Sequence, residues 1–170
     1  LADVDWSKTR AYAIGLGGIY LNVKGREIHG IVEPGEAEKA LREEIRAKLR
    51  ELHDDEKGTR AINEVWDCKV VYQGPYVREA PDLFVGFAPG YRASWDCATG
   101  VVGDAAITDN TKSWSGDHCV DPRIVPGVFF SNLPIATETP NILDIAPSVL
   151  ALFGQEPPRY MQGKALFSSK

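Results

Sequence analysis

An α/β fold of layered sheet and helix is what this sequence predicts, on three observations. Two short apolar runs near the start are separated by glycines, a long stretch carries apolar residues at helical spacing, and further short buried-type runs alternate with helical ones. At 170 residues the chain suits a single domain able to bury a core, and 44% hydrophobic with 25% charged residues is globular rather than disordered composition. The formal charge of −5 argues against a nucleic-acid partner. No apolar run reaches the ~20 residues that span a bilayer, and the first residues do not resemble a signal peptide. Three cysteines, Cys68, Cys97 and Cys119, form no CxxC pair, so a reducing, cytoplasmic setting is expected rather than a disulfide framework.

Residues 11–14 and 17–23 read as two short strands joined through Gly15, Gly17 and Gly18. No GKS or GKT follows these glycines, so a tight strand connection is expected there rather than a phosphate loop. From Glu36 to about His53, Ala37, Leu41, Ile45, Leu49 and Leu52 fall on one face of a helix. Glu38 with Arg42 and Glu44 with Lys48 make acid-first i, i+4 pairs, and its exposed charges read as a solvated face. A turn over 54–58 and a strand over 65–72 follow. Leu83 to Phe87 is an apolar run of the kind found in buried parallel strands. Residues 88–120 lack periodicity, and a loop this long in a compact domain is usually functional. Val125 to Ser131 reads as another buried strand. Asp144 is an expected N-cap for a helix from Ile145 to Phe153, which Gly154 ends and Pro157-Pro158 prevent from resuming.

The densest polar cluster, residues 109–118, lies in the long loop and ends on Asp117-His118. A neutral imidazole oriented by a carboxylate is a common metal-ligand arrangement, but from spacing alone a His beside an Asp is more often a hydrogen-bonded structural pair. Cys119 is a conceivable soft ligand, though a small buried residue is favoured. Tyr91, Arg92, Trp95, Asn110 and Lys112 fit either a substrate pocket, where Arg suits phosphate, or plain packing. His29 and His53 border polar turns and read as solvated.

The order of Ser-Gly-Asp-His at 115–118, Val-Pro-Gly-Val-Phe-Phe-Ser-Asn at 125–132 and Asp-Ile-Ala-Pro-Ser-Val-Leu at 144–150 resembles the C-terminal end of the alkaline phosphatase superfamily. The likeness is to its type I phosphodiesterase/nucleotide pyrophosphatase branch, and it extends over the whole chain from Asp5-Trp6. It implies the C-terminal portion of an alkaline-phosphatase-like fold, in an enzyme that hydrolyses phosphate esters, phosphodiesters or nucleotide pyrophosphates. It further implies two divalent metal ions, zinc or in some members manganese, with His118 as the family's final metal-ligand histidine and Asp117 behind it. Tyr91, Arg92, Asn110 and Lys112 are then pocket candidates for a phosphorylated small molecule or nucleotide. The family's nucleophile and its paired Asp-His have no counterpart here. The chain is therefore expected to be a fragment whose N-terminal half is the missing partner, inactive and metal-free alone, and prone to self-association. A phosphomutase, or a non-catalytic structural or interaction domain that retains the fold, is the alternative.

Overall fold

The computed structural model describes residues 4–117 and 119–167. The chain divides into two compact units, Leu1–Pro126 and Gly127–Lys170.

The first unit is built on a four-stranded sheet. Strands β1 (Ala11–Ile14) and β2 (Gly18–Leu21) pair as an antiparallel hairpin with Ala11 opposite Leu21. Gly15 and Gly17 make the turn at φ of 78° and 136°, a region closed to most side chains, so these glycines do form a strand connection. Helix α1 (Glu36–Arg50) follows, then a small hairpin of β3 (His53–Asp54) and β4 (Thr59–Arg60). Strand β5 (Ile62–Asp67), helix α2 (Cys68–Val71) and strand β6 (Leu83–Phe87) come next.

The sheet order is β1-β2-β6-β5, with every pairing antiparallel. Because β2 and β5 both run opposite to β6, the path β2–α1–β5 is a split βαβ unit whose gap β6 fills. The α/β character is therefore present, but the parallel pairing expected for Leu83–Phe87 is corrected. Its unbroken apolar run comes instead from a central position in an antiparallel sheet, between two strands.

The apolar face of α1 decides the core. Leu41 packs with Leu21, Val23 and Val32, while Ile45 and Leu49, with Leu52 just past the helix end, lie on Ile62, Val65, Leu83 and Val85. Leu21, Val65 and Leu83 are wholly buried, each stabilising by roughly 1.5–3 kcal/mol through side-chain burial. The expected pairs Glu38–Arg42 and Glu44–Lys48 form, at 2.8 and 2.7 Å. The first is not a solvated face, however: Glu38 and Arg42 turn inward, where Arg42 also meets Asp67 at 3.2 Å and Lys69 meets Glu38.

Three buried polar side chains tie the segments. The Asp82 carboxylate accepts from Leu21 N at 2.7 Å and from both terminal nitrogens of Arg26, at 2.9 and 2.6 Å. The Asn22 amide donates to the carbonyls of Thr9 and His29 at 2.9 Å and of Trp6 at 3.3 Å. Asp121 accepts from Asn63 and Arg123, both at 2.8 Å, and lies so close to β6 that a Cβ at Gly86 would sit 2.9 Å from its Oδ2. A strand glycine where another chain segment presses on the backbone is the reading of Gly86.

Two boundaries differ from expectation. The strand expected over 65–72 is instead 62–67, because Asp67 Oδ1 accepts from Lys69 N at 2.9 Å and caps α2. Helix α1 stops at Arg50, and His53 enters a strand. The long loop contains one short helix, α3 (Trp95–Thr99), capped by Ser94 and ended by Gly100 in the left-handed region.

In the second unit a 3-10 turn over Ile142–Asp144 runs into helix α4 (Ile145–Leu152). Asp144 is the N-cap position of α4, as expected, but its side chain does not cap that helix; Asn141 caps the preceding 3-10 turn by accepting from Leu143 N at 3.0 Å. The Asp144 carboxylate accepts instead from Asn141 N and Lys164 N. Gly154 follows the helix at φ 68°, as its sequence position predicts. Ser148 Oγ joins α4 to Leu166 N at 2.8 Å, and Ile135 bridges Phe167. No strand forms at Val125–Ser131, because a Pro-Gly pair opens this segment and no described strand pairs with it; Val128 and Phe130 are 84% and 89% exposed. Ile142 and Phe153 are exposed too. No helix among the described residues is long and apolar enough to cross a membrane.

Candidate functional site

The long loop of the first unit closes over the end of β5 and β6 and leaves a cleft of about 380 Å³. Tyr91, Arg92, Asn110 and Lys112, scattered over 22 positions of sequence, all line it, with Trp95 beside them. His118 lies outside the described residues.

Tyr91 is set by the β3–β4 hairpin. Its hydroxyl donates to Asp54 Oδ2 at 2.7 Å and accepts from Thr59 Oγ1 at 2.8 Å. Asp54 Oδ1 in turn accepts from the backbone N–H groups of Glu56 and Lys57, which shapes the hairpin turn. The Tyr91 hydroxyl holds the Asp54 carboxyl below its usual value, and the Lys57 N–H and ammonium add to this against the opposing effect of burial. Lys57 reaches across to Asp109 at 3.0 Å, and that contact raises its own pKa.

Arg92 looks the other way along the loop. Its Nη1 donates to the Gly116 carbonyl at 2.9 Å, and its Nε lies 3.3 Å from the Ala93 carbonyl and 3.4 Å from Asp117 Oδ2. The guanidinium stacks 5.5 Å from the Trp95 ring centre. Asp117 is nine-tenths buried; its Oδ1 accepts from Cys119 N at 3.1 Å, while Oδ2 is within ion-pair range of Arg92 but makes no hydrogen bond. Asn110 donates to the Trp114 carbonyl at 2.8 Å and accepts from Lys112 N, so it folds the loop on itself. The Lys112 side chain is exposed at the cleft and has no carboxylate partner among the described residues.

His29 and His53 are exposed, as expected. Cys68, Cys97 and Cys119 are free thiols, with burial pushing the Cys119 thiol up and Asp117 adding to the shift. Among the described residues no group of three or more His, Cys, Asp or Glu could hold a metal ion. Sequence reasoning missed Asp54 and Lys57 as parts of this site. The turn around Asp54 was visible, but nothing in the sequence announced that it would meet a tyrosine 37 residues away.

Compared with family models, with curated proteins and with solved structures, the chain matches none.

Proposed function

We propose that this chain forms the C-terminal part of a metal-dependent phosphohydrolase acting on phosphate esters, phosphodiesters or nucleotide pyrophosphates, in which His118 is one metal ligand. The observation that carries the reading is the setting of Gly116-Asp117, the two residues leading into His118. Arg92, which lines a cleft together with two lysines and an asparagine, donates to the Gly116 carbonyl and lies 3.4 Å from the Asp117 carboxylate. Guanidinium and ammonium groups of this kind suit a phosphoryl oxygen.

The donor set fits a divalent ion in part. A buried carboxylate oxygen without a hydrogen bond, on Asp117, next to an imidazole in sequence, suits a carboxylate standing behind a histidine ligand rather than a ligand itself, since Arg92 already faces it. The nucleophile and the remaining ligands belong, in this reading, to residues other than these 170. Two bound ions would activate the attacking group and stabilise the leaving oxygen. What these residues do is orient the ligand-bearing segment, through Arg92 and Asp117, and present positive charge to the substrate.

The experiment is metal analysis and crystallography of the complete protein carrying this chain, with and without His118→Ala. Loss of bound zinc or manganese and a steep fall in phosphoesterase activity are expected. Anomalous density that puts every metal beyond coordination distance of His118 overturns the reading.

A further inference from the structure

We infer that Arg92 is a positioning residue that fixes the segment carrying Asp117, and that the cation left for a substrate anion in this cleft is Lys112. The statement about the anion rests on the phosphohydrolase reading; the statement about Arg92 does not.

Three positive side chains line the cleft, and they differ in what already occupies them. Lys57 is shared between Asp109 at 3.0 Å and Asp54 at 3.5 Å. Arg92 is committed to the Gly116 carbonyl and to Asp117, with side-chain exposures of only 15% for Arg92 and 9% for Asp117. A guanidinium buried between a carbonyl, a carboxylate and an indole face is held on three sides. An incoming phosphate would have to break those contacts and strand the Asp117 carboxylate, which is costly for a buried charge. Lys112 is exposed and meets no described carboxylate, so a phosphate can engage it without displacing anything.

The same geometry makes Arg92 a brace. Residues 114–117 are held by the Asn110 amide on the Trp114 carbonyl, by Arg92 on Gly116 and Asp117, and by the Cys119 N–H on Asp117 Oδ1. Removing the guanidinium takes away the middle of these three ties and leaves Asp117 buried without a counter-charge. The Cys119 thiol lies just beyond it and reports on the segment.

The test has two arms. In the native protein, the rate of thiol labelling at each cysteine is read by peptide mass spectrometry. Arg92→Ala should raise the Cys119 rate about tenfold or more, as loss of a charged hydrogen bond implies, and leave the buried Cys68 unchanged. Arg92→Lys, which cannot bridge both partners, and the near-isosteric Asp117→Asn should each raise it several-fold. An unchanged Cys119 rate in all three variants, or a rise shared by all three cysteines, overturns the brace. In the second arm, inhibition by inorganic phosphate is measured on the metal-loaded enzyme. Lys112→Ala should weaken phosphate about tenfold with metal content unchanged, and Arg92→Ala should lower metal content instead. If Arg92→Ala weakens phosphate at full metal content and Lys112→Ala does not, the assignment is reversed and the inference fails. A wild-type protein that binds neither metal nor phosphate refutes the phosphohydrolase reading and with it the role of Lys112, while the labelling arm still decides Arg92.

Discussion

The Tyr91 hydroxyl donates to Asp54 Oδ2 at 2.7 Å and so ties the wall of the cleft to the β3–β4 hairpin. Asp54 is held ionised by this bond, so its contribution is present above the ordinary carboxylate range and is lost as pH falls below it. Tyr91→Phe should raise the Asp54 pKa towards the ordinary value and flatten that loss. Carbon-detected NMR titration of the Asp54 carboxyl measures it; an unmoved midpoint would show that Tyr91 is not the cause.

Asp121 is the second acid-sensitive anchor. The hydrogen bonds from Arg123 hold its pKa at about 2, against 3.8 for a free carboxyl, with Asn63 adding to the effect and burial opposing it. A depressed folded-state pKa contributes stability that is fully present above about pH 4 and disappears as pH falls towards 2. Asp121→Asn should therefore be less stable than the natural protein at pH 7 and converge on it near pH 2. Urea titrations at several pH values give the two curves, and parallel curves would contradict the assignment.

Removing one partner of a buried ion pair costs more than removing both. Asp82→Ala leaves Arg26 with only the Leu21 carbonyl and the neighbouring Glu27 carboxylate at 3.1 Å, and the loss of its fully buried partner should cost about 3 kcal/mol, the low end for a buried pair. Replacing the pair together, Arg26→Met with Asp82→Leu, should recover most of that loss. Denaturant midpoints at constant slope report both; equal losses in the single and double variants would argue that the pair's hydrogen bond to Leu21 N, not its charge, is what matters.

The second unit bears Val128, Phe130, Ile142 and Phe153 on its surface. Exposed apolar side chains of this number in 44 residues favour association. Sedimentation of the chain should show concentration-dependent oligomers, and Phe130→Glu should shift them towards monomer. A compact monomer at every concentration would remove the argument.

These 170 residues alone should not hydrolyse p-nitrophenyl phosphate or its bis ester, with or without zinc or manganese, because a two-metal mechanism needs more ligands than one histidine and its neighbour. Activity that co-purifies with the chain and vanishes in His118→Ala would overturn this expectation.

Local pattern carried much of the fold into view. The β1–β2 hairpin, α1 and α4 follow from glycine placement, 3.6-residue periodicity and capping chemistry, all of which act within a few residues. Strand direction is not legible, since a continuous apolar run reports burial on both faces and not the polarity of its neighbours, and β6 has such a run with antiparallel neighbours. Val128 to Ser131 failed differently: hydrophobicity marks what should be covered, not what is. At the cleft, Tyr91, Arg92, Asn110 and Lys112 are legible from their chemistry, while Asp54 and Lys57 arrive through a contact between distant segments that no spacing encodes.

The order in which the sheet is assembled has a consequence for the chain as it leaves the ribosome. Its central strand, β6, is made last, so β2 presents an open edge until about 60 further residues have emerged. At roughly 5–20 residues per second that is several seconds of exposure, long enough for a chaperone or another nascent chain to pair with it. Nascent chains arrested before Leu83 should thus be protease-sensitive throughout, and those arrested well past Phe87 should acquire protection in β1, β2 and β5 at a single step.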